Sequence, residues 1–135
     1  MSTYNIIAAA LYGKLSASTA LVGALGGTAI YNTLAPDSAT YPRVVFRSLA
    51  GGPANINPSD MRELIYSVTT YALDKGQAGT IDAIISPLLH RQALTVSGYT
   101  NYWTARETEI NNVELPPNGA PVFAVGAQYR IRIDN

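Results

Sequence analysis

Hydrophobic positions change period along this chain, and the changes divide it into elements. Tyr4, Ile7, Ala8, Leu11 and Leu15 recur at helical spacing and predict an amphipathic helix over Thr3 to Leu15. Ser18 stands where an N-cap belongs, ahead of a short apolar helix that runs through Leu25 and stops at Gly26-Gly27. Thr28 to Asn32 reads as a short strand, and Ala35 to Tyr41 as a turn-rich link that enters Pro42. Arg43 to Leu49 is a second strand, followed by Gly51-Gly52-Pro53-Ala54-Asn55-Ile56-Asn57-Pro58, a segment of turn formers.

Met61 to Leu73 is the longest strand expected in the chain. Leu64, Tyr66 and Val68 share one face; Ile65, Tyr71 and Leu73 fall on the other. A strand of that length exceeds the usual five or six residues, so part of it should extend past its sheet as an exposed edge. Asp74 and Gln77 form a capping-box pair ahead of the stripe Ile81, Ile84, Ile85, Leu88 and Leu89. Pro87 interrupts that stripe and should kink a helix ending near Arg91. Leu94 to Val96 has the character of a short strand. Two long strands follow, Tyr99 to Ile110 and Val122 to Ile133. In the last, Phe123, Val125, Tyr129, Ile131 and Ile133 alternate with Gln128, Arg130 and Arg132, the signature of a half-buried strand. The connector Asn111 to Pro121 is too long for a tight hairpin. The pattern as a whole implies one α+β domain over residues 1–135. An antiparallel-rich sheet of four to five strands carries two main helices packed on one face.

Composition narrows the function classes. Charged residues make up 13% of the chain, about half the usual share, while 47% is apolar, so part of the surface is expected to meet a partner subunit. Nine basic residues balance nine acidic ones, which argues against a protein that lives by gripping phosphates. There is no cysteine, hence no disulfide framework or thiolate chemistry. The first fifteen residues lack the basic n-region and long apolar run of a signal peptide, and no stretch has the length of a membrane span.

Candidate chemistry is sparse. His90 is the single histidine and sits at a helix C-terminus, where a positive imidazole would suit the dipole; no second ligand type clusters near it in sequence. Glu107 and Glu109 lie two apart on a strand and should face the same side, but nothing apolar beside them forecasts a raised pKa. Asp60 and Glu63 carry the same weight. Gly23 to Gly27 is glycine-rich, yet it precedes a strand instead of opening a helix and lacks the Lys of a phosphate loop. Arg106, Arg130 and Arg132 could form a basic stripe if their strands pair, and nine tyrosines with Trp103 could stack on bases, but the neutral balance favours subunit contacts. No catalytic, cofactor-binding or metal-ligating set is expected, and the chain is not read as an enzyme.

Several segments together carry a resemblance. Ile7-Ala-Ala-Ala-Leu11 leads to Ala20-Leu21-Val22-Gly23-Ala24-Leu25-Gly26, then to Ile30-Tyr31 and the Ala35-Pro36 link. Tyr41-Pro42-Arg43-Val44-Val45-Phe46 follows, then a long strand, the helix Ala78 to Leu89, and the closing Gln128-Tyr129-Arg130-Ile131-Arg132-Ile133. Over nearly its whole length the chain resembles the tail-terminator, or tail-completion, proteins of long-tailed bacteriophages.

The resemblance implies a structural virion protein of the tail and neck, assembled in the host cytoplasm. It implies a homo-oligomer, a six-membered ring on the head-proximal end of the tail tube that stops elongation and meets the head connector or head-closure protein. DNA would pass through the lumen without sequence recognition, and no membrane is involved. A head-closure, connector or tail-tube subunit is the alternative within the virion. A small hydrolase using Glu107, Glu109 and His90, or a ligand-binding module in the sheet–helix cleft, is the alternative outside it. Expected subunit-interface residues are Asp60, Glu63, Arg106, Glu107, Glu109, Arg130 and Arg132, with Arg130 and Arg132 meeting carboxylates of the next subunit. Expected tube or connector contacts are Gly51, Gly52, Asn55, Asn57, Asn112 and Asn118, in loops that project from the core.

Overall fold

A computed structural model describes residues 3–36, 38–53, 55, 61–115 and 119–134. Three helices and five strands follow in the order α1 (Thr3–Ser16), α2 (Thr19–Leu25), β1 (Ile30–Asn32), β2 (Arg43–Pro53), β3 (Arg62–Ala72), α3 (Lys75–Leu89), β4 (Thr100–Glu114) and β5 (Val122–Asp134). The strands form one sheet in the order β1-β2-β3-β5-β4. β1 runs parallel to β2, and every other pair is antiparallel. This is the α+β architecture expected from the sequence.

The helix ends are set locally. The Ser18 hydroxyl accepts from the Leu21 N–H at 3.2 Å, satisfying a donor that the first turn of α2 would leave orphaned. Gly26, at φ 75°, closes the same helix in the left-handed conformation, with Gly27 N–H on the Val22 carbonyl. Asp74 caps α3 by accepting from the Gln77 N–H at 3.2 Å. α3 continues through Pro87 and ends at Leu89, with His90 as its C-cap. Before β2 the Tyr41–Pro42 peptide is cis, and the Arg43 guanidinium lies over the Tyr41 ring at 4.4 Å.

All three helices lie on one face of the sheet. Ile7, Leu11 and Leu15 of α1 and Ile81, Ile85 and Leu89 of α3 meet Val44, Phe46, Leu64, Tyr66, Val68, Tyr129, Ile131 and Ile133 from the strands. Full burial of each such side chain contributes roughly 1.5–3 kcal/mol, so this helix face supplies most of the folding force. The Tyr66 hydroxyl crosses the layers to donate to the Tyr4 carbonyl at 3.2 Å. Burial pushes the Tyr66 phenol up to about 12, so it stays protonated and able to donate. The opposite, open face has no helix against it among the described residues.

Several expectations need correction. β3 is not an exposed edge. It is the centre of the sheet, paired along its whole length with β2 on one side and β5 on the other. Its length is matched by long neighbours, so no part extends past the sheet. The edges are the three-residue β1 and the fifteen-residue β4. β2 extends four residues beyond the predicted Leu49, because a bulge at Leu49 resets the register and lets Ala50, Gly51, Gly52 and Pro53 pair with β3. Gly51 and Gly52 are therefore strand residues and not a projecting loop. β4 likewise runs on to Glu114, so Asn112 pairs with Ala124 instead of lying in a connector. Leu94 to Val96 is not a strand; it crosses the core as coil, with Leu94 and Val96 both buried. Asn57, Asp60 and Asn118 lie outside the described residues.

One backbone approach constrains the centre. A Cβ at Gly126 would come within 2.2 Å of the Val68 carbonyl and 2.6 Å of the Thr69 Cα. No side-chain movement relieves a clash with backbone, so only glycine fits. Gly126→Ala is expected to cost about 3 kcal/mol or more. Gly52→Ala, where a Cβ would meet nothing within 4 Å, should stay within about 0.5 kcal/mol of the parent. Thermal melting of the two variants checks the pair.

Candidate assembly interface

Two charged clusters stand on opposite faces of the β4–β5 half of the sheet, and a β-bulge separates them. Between Arg106 and Glu109 the register shifts against β5, so Glu107 and Glu109 no longer obey simple alternation. Glu107 turns to the open face and Glu109 to the helix face. The expectation that both share one side fails for this reason. The same geometry removes Arg106 from any stripe with Arg130 and Arg132. Arg106 pairs with Tyr129 on the helix face, whereas Arg130 and Arg132 point to the open face.

On the open face the arginines and carboxylates meet within one chain. Arg130 Nε donates to both oxygens of Glu107 at 3.0 and 2.9 Å, and its Nη1 reaches Glu63. Arg132 Nε donates to the other Glu63 oxygen at 2.9 Å. The register explains the meeting: Glu63 pairs with Arg132 and Ile65 with Arg130, so Glu63 sits directly across from Arg132 and diagonally from Arg130. Burial alone would raise the Glu63 carboxyl, but hydrogen bonds and charge from Arg132 and Arg130 outweigh it and hold the group below its ordinary 4.5. The hydrogen bonds of Glu107 hold the Arg130 guanidinium above its ordinary range. Arg132 also lies 5.9 Å from the Trp103 ring centre. The carboxylates expected from a neighbouring subunit are thus supplied by this chain's own Glu63 and Glu107.

On the helix face Arg106 is held far more tightly. Its two terminal nitrogens donate to the two oxygens of Asp82 at 3.1 and 2.7 Å, a bidentate pair, and Nη1 also donates to the Tyr129 hydroxyl at 2.9 Å. Nε donates to Glu109 at 3.0 Å. The Arg106 and Asp82 side chains are only 13% and 11% exposed. The Asp82 bonds raise the guanidinium pKa, so the group is charged at every accessible pH. Burial raises the Tyr129 phenol, which stays protonated. The cluster fastens α3 to β4 and β5. Asp82 went unnoticed in the sequence, although an acid beside Ala78, Ile81 and Ile85 on a buried stripe is a usable signal for a partnered charge.

The segment after α3 is tied to β4 by hydrogen bonds. Arg106 N–H donates to His90 Nδ1 at 3.0 Å, and Arg91 N–H to the Thr104 carbonyl at 2.7 Å. The histidine therefore serves as a backbone acceptor at the helix end. Buried Asn101 accepts from Leu94 N–H and the Thr104 hydroxyl, and donates to the Trp103 and Arg132 carbonyls. An open groove of about 410 Å³ lies beside this segment, lined by residues that include Arg91, Asn101, Tyr102 and Trp103. The Asn101 amide is wholly committed to structural bonds there. Among the described residues no three His, Asp or Glu side chains are placed to hold a metal ion, and no helix is long and apolar enough to cross a membrane. The arrangement is one of ion pairs set on the two faces of a five-stranded sheet.

The two hairpins point to opposite ends of that sheet. Pro53 and Arg62 close one end beside Ile133; Glu114 and Val122 close the other beyond Ala72. Gly51 and Gly52 approach the first end, near Asn55. Asn112 lies three residues from the start of the second connector.

Residues 9–114 match the family of tail completion protein gp17. A chain of the virion of a native gene transfer agent particle shares the fold over 99% of this chain and 98% of its own, at TM-score 0.80 and 16% identity. Another solved chain matches at TM-score 0.58 and 14% identity, covering 98% of this chain and 96% of that one. No curated protein matches the sequence significantly.

Two outcomes test the clusters. Because Glu63 titrates lower in the folded chain than in the unfolded one, its contribution is fully present above about pH 4.5 and is lost as pH falls through the folded value. Glu63→Gln should therefore melt lower than the parent at neutral pH, and the gap should close as the acid limb is descended. Asp82→Ala should cost about 2 kcal/mol, since the nearly buried Arg106 loses its bidentate partner and keeps only the exposed Glu109 and the Tyr129 hydroxyl. Chemical denaturation reads this cost directly.

Proposed function

From the premise that the chain belongs to the tail completion protein gp17 family and is a structural protein of the bacteriophage tail, we propose that it terminates the tail as a ring. The ring is homo-oligomeric and hexameric. It sits on the head-proximal end of the tail tube, ends elongation, and presents its far side to the head-closure or connector protein.

The observation that carries this reading is the polarity of the sheet. One rigid layer holds two hairpins at its opposite ends, so a single subunit has one end for the tube and one for the head. The segment around Gly51, Gly52, Asn55 and Asn57 serves one partner, and the segment that includes Asn118 serves the other. The whole-length likeness to a chain of a gene transfer agent virion supports placement in a tailed particle. The charge pattern suits a channel for DNA. Arg130 and Arg132 are each held by carboxylates, so the β5 stretch of the open face offers phosphates no uncompensated positive charge.

The test is disruption of the gene in its phage. Particles should arrest as free heads beside tails of overlong and uneven length, and supply of the full chain in trans should restore tails of one length. Electron microscopy of the restored tails should show a ring of this protein at the head-proximal tip. Tails of normal length without the protein overturn the reading.

A further inference from the structure

Both edges of the sheet are half closed and half free. β1 covers β2 only at Val44 to Phe46, so no strand among the described residues pairs with the outer side of Arg47 to Pro53. On the far side, the outer edge of β4 is engaged at Thr104 and Arg106 by Arg91 and His90. From Glu109 to Glu114 β4 pairs regularly with β5, and no strand among the described residues pairs with its outer side. Free edges of this kind are templates for another strand.

Resting on the ring reading above, we propose that the occupant is a second copy: Glu109 to Glu114 of one subunit pairs antiparallel with Arg47 to Pro53 of the next. Three observations support this choice. The first is direction. β2 and β4 run opposite ways in the sheet, so copies related by rotation about one axis bring them together antiparallel. A parallel arrangement of these two strands would instead have excluded it.

The second is charge. From Glu107 to Tyr129 the chain carries three glutamates and no lysine or arginine, whereas the charged residues of β2 are Arg43 and Arg47. Glu114 and Arg47 are both exposed, and neither makes an ion pair among the described residues. Both point to the open face, Glu114 opposite Val122 and Arg47 opposite Ser67. Setting Glu114 opposite Arg47 preserves the faces of both strands. With Leu49 bulged out, the same register puts Asn112 opposite Ala50 and Ile110 opposite Gly52.

The third is closure. Glu114 lies level with a position six residues before Arg47, an offset of roughly 20 Å at about 3.3 Å per residue, while the four strands from β2 to β4 advance the ring by roughly 19 Å per subunit. That slope tilts the strands by about 45° to the ring axis, at the upper end of the range of closed barrels.

Cysteine pairing tests the joint, because the chain has no cysteine of its own. Opposed residues of an antiparallel pair lie about 4.5–5.5 Å apart at Cα, within disulfide reach. The full chain carrying Ala50→Cys and Asn112→Cys is oxidised after assembly on purified tails and run without reductant. A ladder of covalent multimers up to the ring is expected, with each single-cysteine variant giving none beyond a dimer. Separately, Arg47→Glu and Glu114→Arg should each reduce tail-bound protein about tenfold, and the two together should restore it. Rings visible on the tails without any ladder overturn the joint and leave the ring reading standing. Absence of rings from tails bearing the parent protein overturns the ring reading and the joint with it. Melting of each variant at the parent temperature separates loss of the joint from loss of the fold.

Discussion

The pairing of β3 with β5 is the constraint from which the rest follows. These strands lie about sixty residues apart in sequence, yet they form the middle of the sheet over Arg62 to Ala72 and Phe123 to Ile133. Their helix-face residues, Leu64, Tyr66, Val68, Tyr129, Ile131 and Ile133, are the floor on which α1 and α3 rest. At Gly126 the two backbones come so close that a side chain has no room. The closing of so long a loop costs entropy before any contact rewards it, so local elements alone cannot hold this fold. β2 and β4 are added outside that pair, each through a hairpin, and the charged clusters are placed by its register.

Local signals were legible and long-range ones were not. Ser18, Gly26 and Asp74 act as caps where a short polar side chain or a glycine at a helix boundary says they should. The α3 stripe is buried at Ile81, Ile85 and Leu89, and the β5 alternation gave the right face at Tyr129, Ile131 and Ile133, though not at Phe123 and Val125, where Val122 and Ala124 of the other face are the buried ones; the α+β class followed. Family resemblance supplied the tail-completion identity that no motif chemistry could. The neighbours of each strand were another matter. Nothing local distinguishes β3 as central from β3 as an edge, since both faces of a long strand can be apolar in either place. The bulges at Leu49 and between Arg106 and Glu109 were equally invisible, because an extra residue in a ladder shows only against the partner strand. One such bulge reversed the facing of Glu107 relative to Glu109 and split a supposed basic stripe into two clusters.

The two clusters differ in what they do for the chain. Arg106 is clamped between α3 and the sheet with little contact with water, and its loss of a partner is costly because the charge has nowhere to be hydrated. Arg130, Arg132, Glu63 and Glu107 lie on a wetter face, where ion pairs contribute modestly and salt weakens them. The first cluster fixes the angle between layers. The second sets two positive and two negative groups side by side, electrically quiet at short range.

The opposed hairpins have an evolutionary consequence. Each connector joins strands whose register is already fixed by the sheet, β2 with β3 at one end and β4 with β5 at the other. Insertions or exchanges of sequence between Pro53 and Arg62 leave the other end unaltered, and the same holds between Glu114 and Val122. Selection acting on one end of the sheet is thereby uncoupled from selection acting on the other. In the proposed ring, a lineage can acquire a new partner at one end by drift in a single connector while the scaffold and the opposite partnership persist.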